Sequence, residues 1–84
     1  MTDSVLLLDD DLEFRSLFAP ALEHHQFRVI EAGSIHEASE LLDEDPPDLL
    51  VVDGALPDGN GIDLIRSLRE RGLTLPIIFI SLYW

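Results

Sequence analysis

Four stretches of the chain read as strands, and three stretches between them repeat apolar residues every three or four positions. Residues 4–8 (SVLLL), 48–53 (DLLVVD) and the run that begins at Pro76 (PIIFIS) are nearly continuous apolar runs. That pattern fits strands covered on both faces. Residues 27–31 (FRVIE) alternate instead and predict a fourth strand, second in chain order. Phe14, Leu17, Phe18, Ala21 and Leu22 are spaced i, i+3, i+4, i+7 and i+8. They predict a helix over roughly residues 12–25 with those five side chains inward. Pro20 lies inside it, and because the pattern runs past the proline, a kink rather than an end is expected.

Ser34, followed three residues later by Glu37, is the signature of a capping box. It predicts a second helix that buries Ile35, Ala38, Leu41 and Leu42, stopped by Pro46-Pro47. The loop GALPDGNG leads into a third helix with Ile62, Ile65 and Leu68 inward and Leu64 partly buried. Gly72 is placed just past its end, as the C′ residue. Strands alternating with helices predict an α/β domain with parallel pairing and right-handed crossovers. No repeat, low-complexity tract or linker divides the 84 residues, so one domain spanning 1–84 is expected.

Composition narrows the chemistry. No apolar run approaches the roughly 20 residues that span a bilayer, and MTDSVLLLDDD has no basic n-region, so neither membrane insertion nor a secretory leader is expected. Seventeen acidic residues against five basic ones, all arginine, give a net charge of −12. This balance opposes direct contact with nucleic acid or anionic lipid and favours cations or basic partners. The absence of cysteine removes disulfides and thiol chemistry and is compatible with the cytoplasm.

The three apolar runs end in Asp9-Asp10-Asp11, in Asp53 and in Ser81, groups able to hold a phosphoryl group together. In parallel sheets ligands gather at the carboxyl ends of strands. Carboxylates crowded at one edge repel one another unless a cation or a proton intervenes. A divalent metal site follows from the residues alone. Asp11 is expected to cap the first helix. His24, His25 and His36 lack metal-ligand spacing and read as surface residues. Arg66, Arg69 and Arg71 read as favourable charge near a helix C-terminus.

VLLLDDD, DLLVVDGALPDGNG and PIIFIS, in that order and spacing, resemble the receiver domain of two-component response regulators. The resemblance implies a flavodoxin-like doubly wound parallel sheet of four strands alternating with three helices, strand order 2-1-3-4 counted along the chain, without the family's fifth strand and last two helices. It implies that Asp53 accepts a phosphoryl group from a histidine kinase or phosphotransfer protein, forming an aspartyl-phosphate. It implies Mg²⁺ positioned by Asp9 and Asp10, with Asp10, Asp53 and the Ala55 backbone carbonyl as direct ligands. It assigns Ser81 the hydrogen bond to the phosphoryl group, and it makes Pro57, Asp58, Gly59 and Gly61 shapers of the loop. The domain is then a phosphoacceptor with at most self-phosphorylation and dephosphorylation activity, switching a partner or a C-terminal output domain.

Three features depart from the family pattern. The chain has no lysine, where the family uses one on its fifth strand to contact the phosphoryl group. Leu82 stands where a small residue is usual. A fourth strand without its neighbour is an exposed edge, as expected of a fragment of a longer protein; a free 84-residue chain would be a dimer or an aggregate through that edge. Two alternatives remain on residues alone. One is a receiver-like interaction module that is not phosphorylated. The other is a haloacid-dehalogenase-type phosphatase using Asp9 as nucleophile and Asp11 as acid/base, although Leu12-Glu13 does not continue that motif.

Overall fold

The computed structural model describes residues 2–80. The chain runs β1 (Ser4–Leu8), α1 (Leu12–His24), β2 (Arg28–Ala32), α2 (Ile35–Glu44), β3 (Leu49–Asp53), β4 (Ala55–Leu56), β5 (Gly59–Asn60), α3 (Gly61–Glu70) and β6 (Ile77–Ile80). Four of these strands form one parallel sheet in the order β2-β1-β3-β6. This is the expected 2-1-3-4 arrangement of a doubly wound α/β fold. Among the described residues β6 forms one edge of the sheet, and Ile78 on it is 50% exposed.

The apolar run of β1 is explained by its central place. All five of its residues are buried, with Leu6 and Leu8 facing one side and Val5 and Leu7 the other. Leu6 and Leu8 join Leu50, Val52, Ala38, Leu42, Leu64 and Leu68 under α2 and α3. Val5 and Leu7 join Val51 and Ala19, with Phe14, Phe18 and Leu22 of α1 packed against them. Fully burying such a leucine contributes about 1.5–3 kcal/mol.

Several expectations shift in phase. α1 buries Ala19, while Leu17 is 76% exposed and Ala21 is exposed too, so the inward face is Phe14, Phe18, Ala19 and Leu22. The helix meets the sheet through these four residues, and the small Ala19 is the one of them that is buried. In α3 the buried residues are Gly61, Leu64 and Leu68, with Ile62 and Ile65 half-buried, so Leu64 takes the role expected of Ile62 and Ile65. β2 begins one residue later than its alternation suggested, because Phe27 closes the turn that follows α1. There the Gln26 and Phe27 amides donate to the Glu23 and Leu22 carbonyls, and Gln26 takes φ 74°. α1 continues unbroken through Pro20 and ends at His24.

The Ser34 hydroxyl accepts from the Glu37 amide as a capping box requires, but the Glu37 carboxylate reaches one residue further back, to the Gly33 amide. Gly72, at φ 84°, follows the Arg71 cap of α3 as expected. The loop after β3 is more ordered than its glycines suggest. β4 and β5 form a short antiparallel hairpin, Ala55 opposite Asn60 and Leu56 opposite Gly59, with Pro57-Asp58 at its tip.

Candidate functional site

Register brings the acidic residues together. Leu8 pairs with Val52, so Asp9 leaves β1 level with Asp53 at the end of β3, and Asp53 itself pairs with Ile80. Carboxylate oxygens of Asp9, Asp10 and Asp53 all lie within 4.8 Å of one another. They line a cavity of about 270 Å³ together with Asp11, Phe14, Ala55 and Ile80. A second cavity, of about 230 Å³, lies between β2 and α2 on Leu6, Ile30, Leu41 and Pro47 and shares no residue with the first. Ser81 and Leu82 follow Ile80 in the chain and lie outside the described residues.

Asp9 is buried, with 8% of its surface exposed, whereas Asp10 is exposed. Burial pushes the Asp9 carboxyl above its ordinary value. The Asp11 amide, donating to Asp9 Oδ1 at 2.9 Å, opposes the rise, and the charges of Asp53, Asp10 and Asp11 add to it. A buried carboxylate held beside two others is disfavoured in its charged form, and a cation or a proton would relieve that repulsion. Asp11 caps α1, accepting from the Glu13 and Phe14 amides at 2.9 and 3.2 Å.

None of the five arginines lines the cavity. Arg15 pairs with Glu31, Arg28 with Asp45, Arg66 with Asp63 and Arg71 with Asp43. Arg69 donates to the Leu73 and Leu75 carbonyls, closing the loop after α3. Specific partners, beyond helix-end charge, therefore account for the arginines of α3. His36 lies on the surface against Glu40, 2.7 Å away.

Gly61, the first residue of α3, and Asp58 in the hairpin turn act in ways the sequence did not disclose. Gly61 packs directly on the Asp53 backbone, and its amide donates to the Gly54 carbonyl at 3.2 Å. Asp58 lies in the hairpin turn, as expected, and its side chain also accepts from the Ile35 and His36 amides at 2.8 and 2.9 Å. Those bonds hold its carboxyl below the ordinary range, the His36 amide contributing most. No local signal could reveal this, because the partners lie 23 and 22 residues away.

The family model described as "Response regulator receiver domain" matches residues 5–83. The chain is 42% identical over 79 residues to the transcriptional regulatory protein CpxR of Escherichia coli K12, covering 94% of this chain and 33% of that protein. It is 39% identical over 80 residues to the photosynthetic apparatus regulatory protein RegA of Cereibacter sphaeroides, covering 95% of this chain and 44% of that one. The solved structure of the MaeR response regulator bound to beryllium trifluoride superimposes with a TM-score of 0.92 at 30% identity, over 100% of this chain and 70% of that one. The chain thus spans less than half the length of these curated relatives. Carboxylates from two adjacent strand ends, on a sheet of this order, agree with what the comparisons give: the chain belongs to the receiver domains of two-component response regulators.

Proposed function

We propose that Asp53 is the phosphoacceptor of a phosphorelay, with Mg²⁺ held by Asp9, Asp10, Asp53 and the Ala55 carbonyl. The observation that carries this reading is the convergence of three carboxylates within 4.8 Å at the carboxyl edge of the sheet. Hard oxygen ligands on a partly solvated edge suit Mg²⁺, which retains several waters. With all five arginines engaged elsewhere, the cation that offsets this charge comes from solution.

In the proposed step an Asp53 carboxylate oxygen attacks the phosphorus of a phosphohistidine on a histidine kinase or phosphotransfer protein. A P–O bond forms as the P–N bond breaks, and the imidazole leaves with the electron pair. The bound cation supplies charge neutralisation for the transferring oxygens. Asp9, fixed by the Asp11 amide, and Asp10 orient the cation's side of the site. Asp53 is anchored by its strand pairing with Ile80 and by the Gly61 contact behind it, so its carboxylate faces the cavity lined by Phe14 and Ile80. Ser81 hydrogen-bonds the phosphoryl group, and self-catalysed hydrolysis of the acyl phosphate returns the domain to rest. We further read the chain as cytoplasmic and its output as carried by a C-terminal domain. In support of an output domain, the chain covers 33% of the transcriptional regulatory protein CpxR.

Titration with beryllofluoride and Mg²⁺, followed by amide NMR, tests the reading. Shifts centred on Asp53, lost in Asp53→Asn, are expected. An unshifted spectrum of the native chain would favour the unphosphorylated interaction module instead.

A further inference from the structure

Asp58 sits at the tip of the β4–β5 hairpin, exposed, with nothing in its burial to orient it. What orients it is the start of α2. The first turn of a helix leaves its amides without partners in the helix. Ser34 Oγ takes the Glu37 amide, at 3.2 Å, leaving those of Ile35 and His36. The two Asp58 oxygens take one each, at 2.8 and 2.9 Å. These are charge-assisted bonds at the positive end of a helix, the arrangement in which a carboxylate gains most. The lowered Asp58 pKa has the same cause.

The same contact reaches the metal-binding residues through a short rigid path. Gly59, next to Asp58, packs on Ile35: a Cβ there would stand 2.8 Å from Ile35 Cδ1. Leu56 pairs with Gly59 and Ala55 with Asn60. Asn60 in turn caps α3 through the Ile62 amide at 2.7 Å. The hairpin is therefore tied to α3 at its base and to α2 at its tip, with Ala55 in the arm between them.

We propose that Asp58 is a positioning residue for this site: by bridging the Ile35 and His36 amides, its carboxylate holds the hairpin so that the Ala55 carbonyl faces the cation. This rests on the reading of Asp9, Asp10, Asp53 and Ala55 as a Mg²⁺ site. The carboxylate touches neither the cation nor the phosphoryl group and acts through Ala55.

Isothermal titration of Mg²⁺ into the whole chain, well below its melting temperature, tests this. Asp58→Ala should weaken Mg²⁺ binding by about 10–100-fold, the usual cost of removing an outer support of a metal site. Asp58→Asn, which keeps a neutral acceptor, should fall between Asp58→Ala and the native chain. Ser34→Ala loosens the same helix end without touching the hairpin, and its Mg²⁺ affinity should stay within about twofold of native. Native affinity in folded Asp58→Ala, or an equal loss in Ser34→Ala, overturns the positioning role alone. A native chain that binds no Mg²⁺ overturns the site reading and this proposal with it.

Should Asp58→Ala fail to fold, the native chain still decides the matter. Coupling is reciprocal, so saturating Mg²⁺ must slow amide exchange at Ile35 and His36. Unchanged exchange at both overturns the proposal.

Discussion

Gly61 lies so close to Asp53 that a side chain there would collide with its backbone. A Cβ would overlap the Asp53 carbonyl oxygen and stand 2.7 Å from Val52 Cγ1. Neither neighbour can retreat, because Val52 is fully buried and Asp53 is paired into the sheet with Ile80. Gly61→Ala should therefore destabilise the domain by about 1–3 kcal/mol, the range for overpacking a close-packed site. Gly33→Ala provides the contrast: its Cβ would meet only the Arg15 guanidinium end, at 3.4 Å, and should change stability by no more than about 0.5 kcal/mol. Urea unfolding of both variants checks the pair. Equal midpoints would mean the contact behind Asp53 is soft.

The architecture was legible because β1 and β3 are buried on both faces and written as unbroken apolar runs. Asp9, Asp10 and Asp53 were legible for a related reason, since a parallel sheet gathers the ends of its strands at one edge. Asp11 and Gly72 were readable from local rules of helix ends. What escaped depends on partners distant in sequence or on the phase of a lightly packed helix. Asp58 answers to amides of α2, and Gly61 to the backbone of β3. In α1, Leu17 keeps the helical spacing yet stays exposed, while Ala19 is buried. Periodicity counts apolar residues but does not say which side of a wide stripe will meet the sheet.

The crowded carboxylates should trade stability against cation binding. Asp9 is buried beside Asp53 and Asp10, and its raised pKa states that the charged form is disfavoured there. Asp9→Asn removes that charge while its amide oxygen still accepts from Asp11. The metal-free variant should melt higher than the native chain at neutral pH and lose most of its response to Mg²⁺. The native chain should gain about 2.7 kcal/mol at a Mg²⁺ concentration one hundred times the dissociation constant. Asp10→Asn should abolish most of that gain. Calorimetric scans with and without Mg²⁺ check all three, and an undiminished Mg²⁺ response in Asp10→Asn would place the cation elsewhere.

Asp58 should contribute to acid sensitivity. Its folded pKa lies below the ordinary 3.8, so the unfolded chain binds more protons in that window. Stability from this group is then fully present above about pH 3.8 and is lost as pH falls through the lower, folded value. Asp58→Asn carries no titrating group. The native chain's advantage over it should be largest at neutral pH and shrink on acidification below that window. Urea midpoints measured for both proteins between neutral pH and about pH 2.5 test the sign. A difference that is flat, or grows on acidification, would mean the helix-end contact does not favour the charged carboxylate.

α1 and α3 end in the same way but with different residues. Past α3, the Gly72 and Leu73 amides donate to the Arg69 and Leu68 carbonyls, each at 3.0 Å, with Gly72 at φ 84°. Past α1, the Gln26 and Phe27 amides donate to Glu23 and Leu22 at 3.0 and 3.2 Å, with Gln26 at φ 74°. The left-handed conformation costs an L-residue about 1–2 kcal/mol, and glycine avoids it at an entropic cost of about 0.5–1 kcal/mol. Gln26→Gly should therefore stabilise the domain by up to about 1.5 kcal/mol, the largest difference between the two. Gly72→Ala should destabilise it by a similar amount, although the space around Gly72 is open. Thermal unfolding of the two variants should move in opposite directions. A loss of stability in Gln26→Gly would mean the glutamine side chain holds the turn by contacts that outweigh its backbone strain.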